Sequence, residues 1–341
     1  MHLPLAFSTR RSTNKVITVL AGDIGGTKTN LALFTMEGDK IIATLKEASF
    51  KSQDYSSLTP ILDEFIKGSP APQAVCMGVA GPVLNGKVKL TNLVWEIDLK
   101  EIGTHLGIGD VFLINDLEAM AYGLAMLEEK DTMLLQEGSM EGSGNVAVIA
   151  PGTGLGQAGL FWDGKLYHPF ATEGGHSDFA PRDKFDFELY EYLQYQFGHV
   201  SWERLVCGPG IFNIYRFLRE EKKREQPAWL AQKISVGDAP AIISQNVNNC
   251  ERCKDTMQLF IRYLAFESAN LVLKMKATGG LYIGGGIPPR IISLFGEYQF
   301  NQFYCGSGRM NLLLEKVPVK IILNTKSGLL GAAYYAARNS A

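Results

Sequence analysis

Three glycine-rich turns, each following an apolar stretch of strand length, are the residues best suited to chemistry. The first lies within VITVLAGDIGGTKTNLALF (16–34), and the others are GTGLG (152–156) and GGG (284–286). Glycine lets backbone N–H groups approach an anion closely, and successive N–H groups in such a turn form an anion-binding nest. Asp23 would repel a bare phosphate, which indicates a divalent cation between them. Together the turns predict a nucleotide or polyphosphate ligand, whereas the first turn alone is also compatible with a plain tight hairpin.

A second group of residues is polar and short in reach, which suits the binding of a polyol by its hydroxyl groups. Its members are Asn92, Asn115, Asp116, Glu173, His176, Asp178 and Glu203. A hydroxyl that accepts a phosphoryl group needs a nearby carboxylate to take its proton. Asp116 is the candidate base, because it follows an apolar strand and stands next to Asn115. The alternatives are a helix N-cap for Asp116 and, for Glu173 and His176, a turn with a satisfied histidine.

The spacing of apolar residues predicts strands that alternate with helices. Strand-length runs precede all three turns, and Val111–Ile114 is a further apolar strand that stops at Asn115 and Asp116. Helical periodicity is present in 58–66, 99–106, 117–127, 185–197, 211–220, 255–276 and 328–338. The charged segment 221–249 is interpreted as irregular surface. This alternation favours a twisted α/β sheet, and such sheets bind ligands at the carboxyl ends of their strands.

The second half of the chain repeats the layout of the first. VIAPGTGLGQAGLFW (148–162) has the same order of strand, turn and strand as the first stretch, and we interpret this as duplication of a whole domain. Phosphate turns on hairpins favour an α/β fold of the actin-like ATPase (ribonuclease H-like) type, with two lobes and a duplicated core around a cleft. The predicted boundaries are a tail at 1–15, a small α/β domain at 16–118 plus 326–341, and a large α+β domain at 119–325.

The length, composition and net charge of the chain argue against several classes of protein. The 341 residues are 46% hydrophobic and 20% charged, which is typical of a globular chain with two domains or lobes. A net charge of −2 does not favour a nucleic-acid or membrane partner, and no segment approaches the roughly 18 apolar residues that span a bilayer. Five cysteines without a signal peptide indicate reduced thiols in the cytoplasm. Cys250 and Cys253 are interpreted as a coincidence at a helix start, and Met1–Lys15 as a frayed tail.

Seven ordered motifs resemble those of the bacterial glucokinases of the hexokinase superfamily, from about Val16 to the final helix. They are GDIGGT (22–27), TNLVW (91–95), IND (114–116), GTGLG (152–156), EGGHSDFAP (173–181), GHVSWER (198–204) and GGGIPPR (284–290). The resemblance implies an ATP- and Mg²⁺-dependent kinase that phosphorylates the 6-hydroxyl of glucose, the first step of glycolysis, with Asp116 as the base and Asp23 near the metal.

The same resemblance implies the remaining binding residues. Glucose would be bound by Asn92, Asn115, Asp116, Glu173, His176 and Glu203. The nucleotide would be bound by Gly22, Asp23, Gly25, Gly26, Thr27, Lys28, Gly152, Thr153, Gly154, Gly284, Gly285 and Gly286. Two residues depart from the pattern: Lys28 stands where many members carry Asn, and Cys207 replaces a serine. Lys28 is also found in the related ROK kinases, but their cysteine-rich zinc motif does not follow His176 here.

Some alternatives stay open at this point. A kinase for another hexose, such as mannose or an amino sugar, would use many of the same residues, and ADP or polyphosphate could replace ATP as the donor. A non-catalytic sugar-sensing regulator on the same fold is a third possibility, although the intact Asp23 and Asp116 favour an enzyme. The resemblance further implies a homodimer, and the sequence predicts a cytoplasmic location.

Overall fold

The computed structural model describes residues 3–7, 15–90, 93–139 and 144–340. The chain forms two compact units that are each assembled from separate segments. Unit 1 comprises Met1–Asp131, Leu160–Ala171 and Asn324–Ala341, and unit 2 comprises Thr132–Gly159 and Thr172–Leu323. These bounds differ from the predicted 16–118 and 119–325, since unit 1 also includes the segment after 118 and the separate segment 160–171.

The strands of the described residues form the two larger sheets and one small ribbon. In chain order they are β1 (Val16–Ile24), β2 (Lys28–Glu37), β3 (Lys40–Lys51), β4 (Ala74–Val79), β5 (Lys87–Lys89), β6 (Glu96–Asp98), β7 (Val111–Asn115), β8 (Thr132–Gln136), β9 (Val146–Pro151), β10 (Leu155–Trp162), β11 (Tyr167–Thr172), β12 (Gly280–Ile283) and β13 (Val319–Ile322). The β5–β6 ribbon stands apart from both sheets.

The two larger sheets share one topology, as the duplicated layout predicted. The first has the order β3-β2-β1-β4-β7, and the second has the order β11-β10-β9-β12-β13-β8. In the first, β1 and β2 are antiparallel whereas β1, β4 and β7 are parallel; in the second, β9, β12 and β13 are parallel. β8 adds an antiparallel edge strand to the second sheet. The parallel strands have their carboxyl ends at one edge of each sheet, where the predicted turns follow β1, β9 and β12.

The helices occupy most of the predicted segments. In chain order they are α1 (Leu58–Ile66), α2 (Leu99–Leu106), α3 (Asp116–Gly123), α4 (Lys184–Phe197), α5 (Gly208–Glu220), α6 (Ala228–Val236), α7 (Ala239–Gln245), α8 (Glu251–Met275), α9 (Ile292–Glu297), α10 (Phe300–Tyr304), α11 (Asn311–Leu314) and α12 (Ser327–Asn339). No helix of the described residues is long and apolar enough to cross a membrane. Cys250 is the residue before α8 and Cys253 is buried within it, so their spacing does mark a helix start.

Each unit has its own apolar core. In unit 1, α12 packs against β1, β4 and α3 through its small residues, which let the backbones approach closely. A Cβ on Gly331 would lie 1.7 Å from the carbonyl oxygen of Ala119, and one on Gly123 would lie 2.0 Å from that of Ser327. In unit 2, the long α8 is buried along most of its length against α5, α7 and α10.

Two expectations about irregular segments are wrong. The segment 221–249 contains α6 and α7, because Leu230 and Ile243 are buried in the core of unit 2 and give these short helices an apolar side. In the tail, Leu3 and Leu5 are only 5% and 6% exposed. Residues 3–7 are therefore docked rather than frayed, since Leu3 and Leu5 are buried and the Pro4 carbonyl and Ala6 N are hydrogen-bonded to Tyr167 of unit 1. Residues 1, 2 and 8–14 of the predicted tail lie outside the described residues.

Candidate active site

Unit 1 brings Asp23 and Asp116 to the same edge of its sheet. The parallel register places Asp23 beside Gly78 and Gly78 beside Ile114, two residues before Asp116. Gly78 permits the close approach, since a Cβ there would lie 3.7 Å from the Cα of Asp116 and 3.0 Å from the Cβ of Ala119. The first turn of α12 lies against both acids: a Cβ on Gly328 would be 3.9 Å from the Cγ of Asp23 and from the carbonyl oxygen of Asp116.

Asn115 and Asp116 have different structural roles at the junction of β7 and α3. Asn115 is the N-cap of α3, with its Oδ1 accepting from Leu117 N at 2.8 Å and its Nδ2 donating to the Gly81 carbonyl at 3.1 Å. The N-cap interpretation of Asp116 is therefore wrong. Asp116 is the first helical residue, and its Oδ1 also accepts from Leu117 N, at 2.9 Å. The bond to Leu117 N orients this carboxylate at the start of α3.

Asp23 is half-buried at the end of β1. Burial raises the pKa of this carboxyl, and the hydrogen bond that Asn30 Nδ2 donates to Oδ2, at 3.3 Å, lowers it by less. The net effect is an acid that gives up its proton less readily than a solvated aspartate. A neighbouring cation would reverse this effect, because it stabilises the charged form.

The first glycine turn is closed by a residue that the sequence did not reveal. Gly25 N donates to the Lys28 carbonyl at 2.9 Å, and the buried Ser52 donates from Oγ to the Gly25 carbonyl at 2.8 Å and from N to that of Thr27 at 3.1 Å. Thr27 and Lys28 are exposed, while Gly25 and Gly26 are half-buried. Gly22 is instead buried within β1 beside Met77.

The second turn, between β9 and β10, is held by Glu203. One carboxylate oxygen, Oε2, accepts from Leu155 N at 2.8 Å, and a Cβ on Gly154 would lie only 2.5 Å from that oxygen. Gly152 N donates to the Gly154 carbonyl at 2.8 Å, and the Gly152 carbonyl accepts from Gly208 N, in the first turn of α5, at 2.9 Å. Thr153 is exposed at the tip.

The turn that carries Glu173 and His176 packs against Leu155, the first residue of β10. A Cβ on Gly175 would be 2.0 Å from the Leu155 carbonyl, so this glycine lets the turn touch the backbone that Glu203 also binds. Both Glu173 and His176 are exposed, and Ser177 accepts from Trp202 N through its carbonyl at 3.0 Å. Unit 2 therefore brings the segment 173–177 and the segment 202–203 onto Leu155.

A buried carboxylate supports this turn from behind. Glu267 of α8 accepts from Gln157 Nε2 at 2.8 Å and from Asn270 Nδ2 at 3.0 Å, and burial raises its pKa. Gln157 in turn touches the turn, since a Cβ on Gly174 would lie 2.1 Å from its Oε1. Neither Gln157 nor Glu267 was predicted from the sequence; a polar side chain inside an otherwise buried strand or helix is the signal that marks them.

The third turn lies against the second. Gly284 N donates to the Ile149 carbonyl at 2.8 Å, and Ile287 N donates to that of Pro151 at 3.3 Å. Gly285 has a φ of 87°, and a Cβ there would lie 2.4 Å from the Pro151 carbonyl, so only glycine suits this position. Gly286 is exposed. The predicted Asn92 lies outside the described residues.

The sequence comparisons with known proteins agree on one family. A family model described as Glucokinase matches residues 20–339. The chain is 40% identical over 337 residues to a glucokinase of Nostoc punctiforme, covering 94% of this chain and 99% of that one, and 38% identical over 350 residues to a glucokinase of Synechocystis, covering 95% and 99%.

Solved structures have the same fold. A glucokinase from an Antarctic psychrotroph matches with a TM-score of 0.79 and 30% identity, covering 96% of this chain and 100% of that chain. A ROK family glucokinase from Streptomyces griseus, in complex with glucose and AMPPNP, matches with a TM-score of 0.63 and 19% identity, covering 93% and 98%. The predicted actin-like ATPase fold is thereby confirmed.

Proposed function

The chain belongs to the glucokinase family, and we propose that it transfers the terminal phosphoryl group of ATP to the 6-hydroxyl of D-glucose. The observation that carries this proposal is the placement of Asp116 at the β7–α3 junction, beside Asp23 and the first glycine turn. We further propose, from the family resemblance, a homodimer that acts in the cytoplasm at the first step of glycolysis.

Asp116 would act as the general base on the sugar hydroxyl. Its Oδ1 accepts from Leu117 N at 2.9 Å, which orients the carboxylate at the start of α3. Asn115 would position it, because the amide that caps α3 fixes the first turn of the helix. The second hydrogen on Asn115 Nδ2 would donate to a sugar hydroxyl.

Asp23 fits a magnesium ion by its chemistry. Mg²⁺ is held in many kinases by one or two carboxylates together with substrate phosphates, so a single acid beside a glycine turn is an adequate protein contribution. Asp23 is half-buried, and a cation would relieve the unfavourable burial of its charge. When bound, the ion would neutralise charge on the phosphate oxygens of ATP.

The remaining predicted residues would bind the two substrates. Glu203 has one oxygen bonded to Leu155 N, which leaves its other oxygen for a sugar hydroxyl, and Glu173 and His176 are exposed on the adjoining turn. Asn92 keeps its proposed sugar contact. The nucleotide would bind at the three turns and the strand ends beside them, which comprise Gly22, Asp23, Gly25, Gly26, Thr27, Lys28, Gly152, Thr153, Gly154, Gly284, Gly285 and Gly286. Gly25 N, Gly152 N and Gly284 N donate to protein carbonyls and shape the turns, so N–H groups of other turn residues would contact the phosphates.

A coupled assay for sugar 6-phosphate tests this function. With ATP and Mg²⁺, we expect kcat/KM for glucose to exceed that for mannose, fructose and N-acetylglucosamine by at least about tenfold, because a misplaced hydroxyl leaves polar groups of the site without partners. ADP and polyphosphate are tested as donors in the same assay.

Two outcomes would replace the proposal. Faster turnover of another sugar would assign the chain to that hexose. No turnover with any sugar or donor, while glucose still raises the melting temperature, would favour the sensing regulator.

Gly154→Ala tests the link between Glu203 and the second turn. The added Cβ would lie 2.5 Å from Glu203 Oε2, so either the turn or the carboxylate must move. Because one side of Glu203 faces the turn and its other oxygen is assigned to the sugar, we expect kcat/KM to fall by about ten- to a hundredfold for both ATP and glucose.

Gly296→Ala is the matched control for this change. It is also in unit 2, and its added Cβ meets no atom within 4 Å. A Gly154→Ala enzyme with normal constants for both substrates would contradict the role given to Glu203.

A further inference from the structure

Residues Leu3–Phe7, here called the strap, form a docked segment that the proposed function does not use. They precede the region matched by the glucokinase family model, which begins at residue 20. Leu5 pairs in parallel with Tyr167 at the start of β11. Ala6 N donates to the Tyr167 carbonyl, and Tyr167 N donates to the Pro4 carbonyl, both at 2.8 Å. The strap therefore forms a single parallel β-bridge with β11, with Leu3 and Leu5 buried.

The last residue of the strap, Phe7, contacts two helices. Its ring stacks on Tyr122 of α3 with centroids 5.4 Å apart, and it meets the ring of Tyr334 of α12 edge-on at 5.1 Å. The guanidinium carbon of Arg338, also in α12, lies 5.1 Å from the Phe7 centroid. Tyr122 and Tyr335 complete the cluster at 4.9 Å. The strap thus contacts Tyr167 of β11 together with α3 and α12, and the contacting residues all belong to unit 1.

Both helices begin at the proposed catalytic residues. α3 starts with Asp116, and Gly328 in the first turn of α12 adjoins Asp23 and Asp116. Between Tyr122 and Asp116 the two helices touch backbone to backbone, since a Cβ on Gly331 of α12 would lie 1.7 Å from the carbonyl oxygen of Ala119 in α3. Such a contact has little freedom to absorb a shift, so a change at the Tyr122 end is transmitted along α3.

We propose that the strap is a positioning device, which holds α3 against α12 and so fixes the carboxylate of Asp116. This inference rests on the proposed role of Asp116. Phe7 is the positioning residue, since it is the strap side chain that touches both helices, and Leu3 and Leu5 anchor the strap on β11. The apolar cluster of unit 1 around Leu20, Phe65 and Trp95 contains no strap residue, so we expect the unit to stay folded when the strap contacts are lost.

Phe7→Ala and deletion of residues 2–7 test the strap. We expect kcat to fall by about tenfold at a temperature well below the melting transition, with KM for ATP changed less than twofold, because a small displacement of the base slows the chemical step. Hydrogen exchange of the α3 amides, 116–123, should become faster in both variants. Phe7→Leu, which keeps an apolar contact, should restore part of the rate.

Pro4→Ala is the control, since its side chain is exposed and its carbonyl bond to Tyr167 is kept. A lower melting temperature with unchanged kcat and unchanged α3 exchange would overturn the proposal and leave a structural role. Unchanged values in every measurement would overturn the docking itself. Exchange needs no turnover, so it tests the strap even if the intact protein phosphorylates no sugar, the outcome that would refute the proposed function instead.

Discussion

Asp116→Asn is expected to lower kcat for glucose phosphorylation by about 10²–10⁴-fold, the range that a general base contributes. Asparagine has nearly the same shape, and its Oδ1 can still accept from Leu117 N, so α3 should keep its first turn. The change removes the group that takes the proton from the 6-hydroxyl. The coupled assay gives the rate, and the rise in melting temperature with added glucose reports whether the sugar still binds.

Asp63→Asn is the matched control, because Asp63 is a 59% exposed acid of the same unit that pairs with His105. It should leave both rate and glucose binding unchanged. An Asp116→Asn enzyme within tenfold of the original rate would show that another group takes the proton. Loss of glucose binding together with the rate would make Asp116 chiefly a sugar ligand.

The fold could be predicted to a large extent because its signals are local. Each phosphate turn is a continuous strand, glycine turn and following element in the sequence, and the duplication is legible in the two strand–turn–strand stretches. The adjacency of the turns after β9 and β12 follows from parallel pairing of those strands, which the α/β pattern implies.

Which of Asn115 and Asp116 caps α3 could be decided only from the backbone structure. Asn115 and Asp116 are adjacent, and both are good N-cap residues, so composition does not decide between them. The structure places the helix start one residue earlier than a cap at Asp116 would require. As a result, the amide of Asn115 caps the helix, and Asp116 is its first residue.

Hydrogen bonds that hold the site but come from residues distant in sequence could not be predicted. Ser52 closes the first turn from the end of β3, and Glu267 reaches Gln157 across 110 positions of sequence. Pairs of this kind depend on tertiary packing and carry no spacing signal. The strap was missed for the same reason, since nothing in residues 3–7 identifies Tyr167 and Tyr122 as their partners.

Asp23→Asn should have opposite effects on activity and stability. We expect kcat to fall by about 10²-fold or more, since the carboxylate proposed to hold Mg²⁺ is lost. The free protein should nevertheless melt about 2 °C higher at pH 7. Burial raises the pKa of Asp23, so the ionised carboxylate destabilises the fold, and asparagine keeps the shape without the charge.

The pH dependence of stability tests whether the charge of Asp23 destabilises the folded protein. With its pKa raised on folding, Asp23 binds its proton more readily in the folded than in the unfolded state, so its contribution to stability falls as the pH rises from about 3.8 through the raised value. The advantage of Asp23→Asn should therefore be larger at pH 7 than near pH 4, because protonation of the original residue removes the buried charge. Thermal melts of both proteins from pH 4 to pH 8, with Asp63→Asn as the control, measure this difference.

Mg²⁺ and a non-hydrolysable ATP analogue should then reverse the order. They stabilise the original protein by binding its folded state, and they should stabilise the Asp23→Asn variant much less. A variant that melts no higher than the original at pH 7 would mean that the charge of Asp23 is well solvated. A variant that gains as much from the metal and nucleotide as the original would place the metal on other groups. Melting of the free protein measures how much the buried charge of Asp23 destabilises the fold. Melting with Mg²⁺ and the analogue measures how much that charge contributes to metal and nucleotide binding.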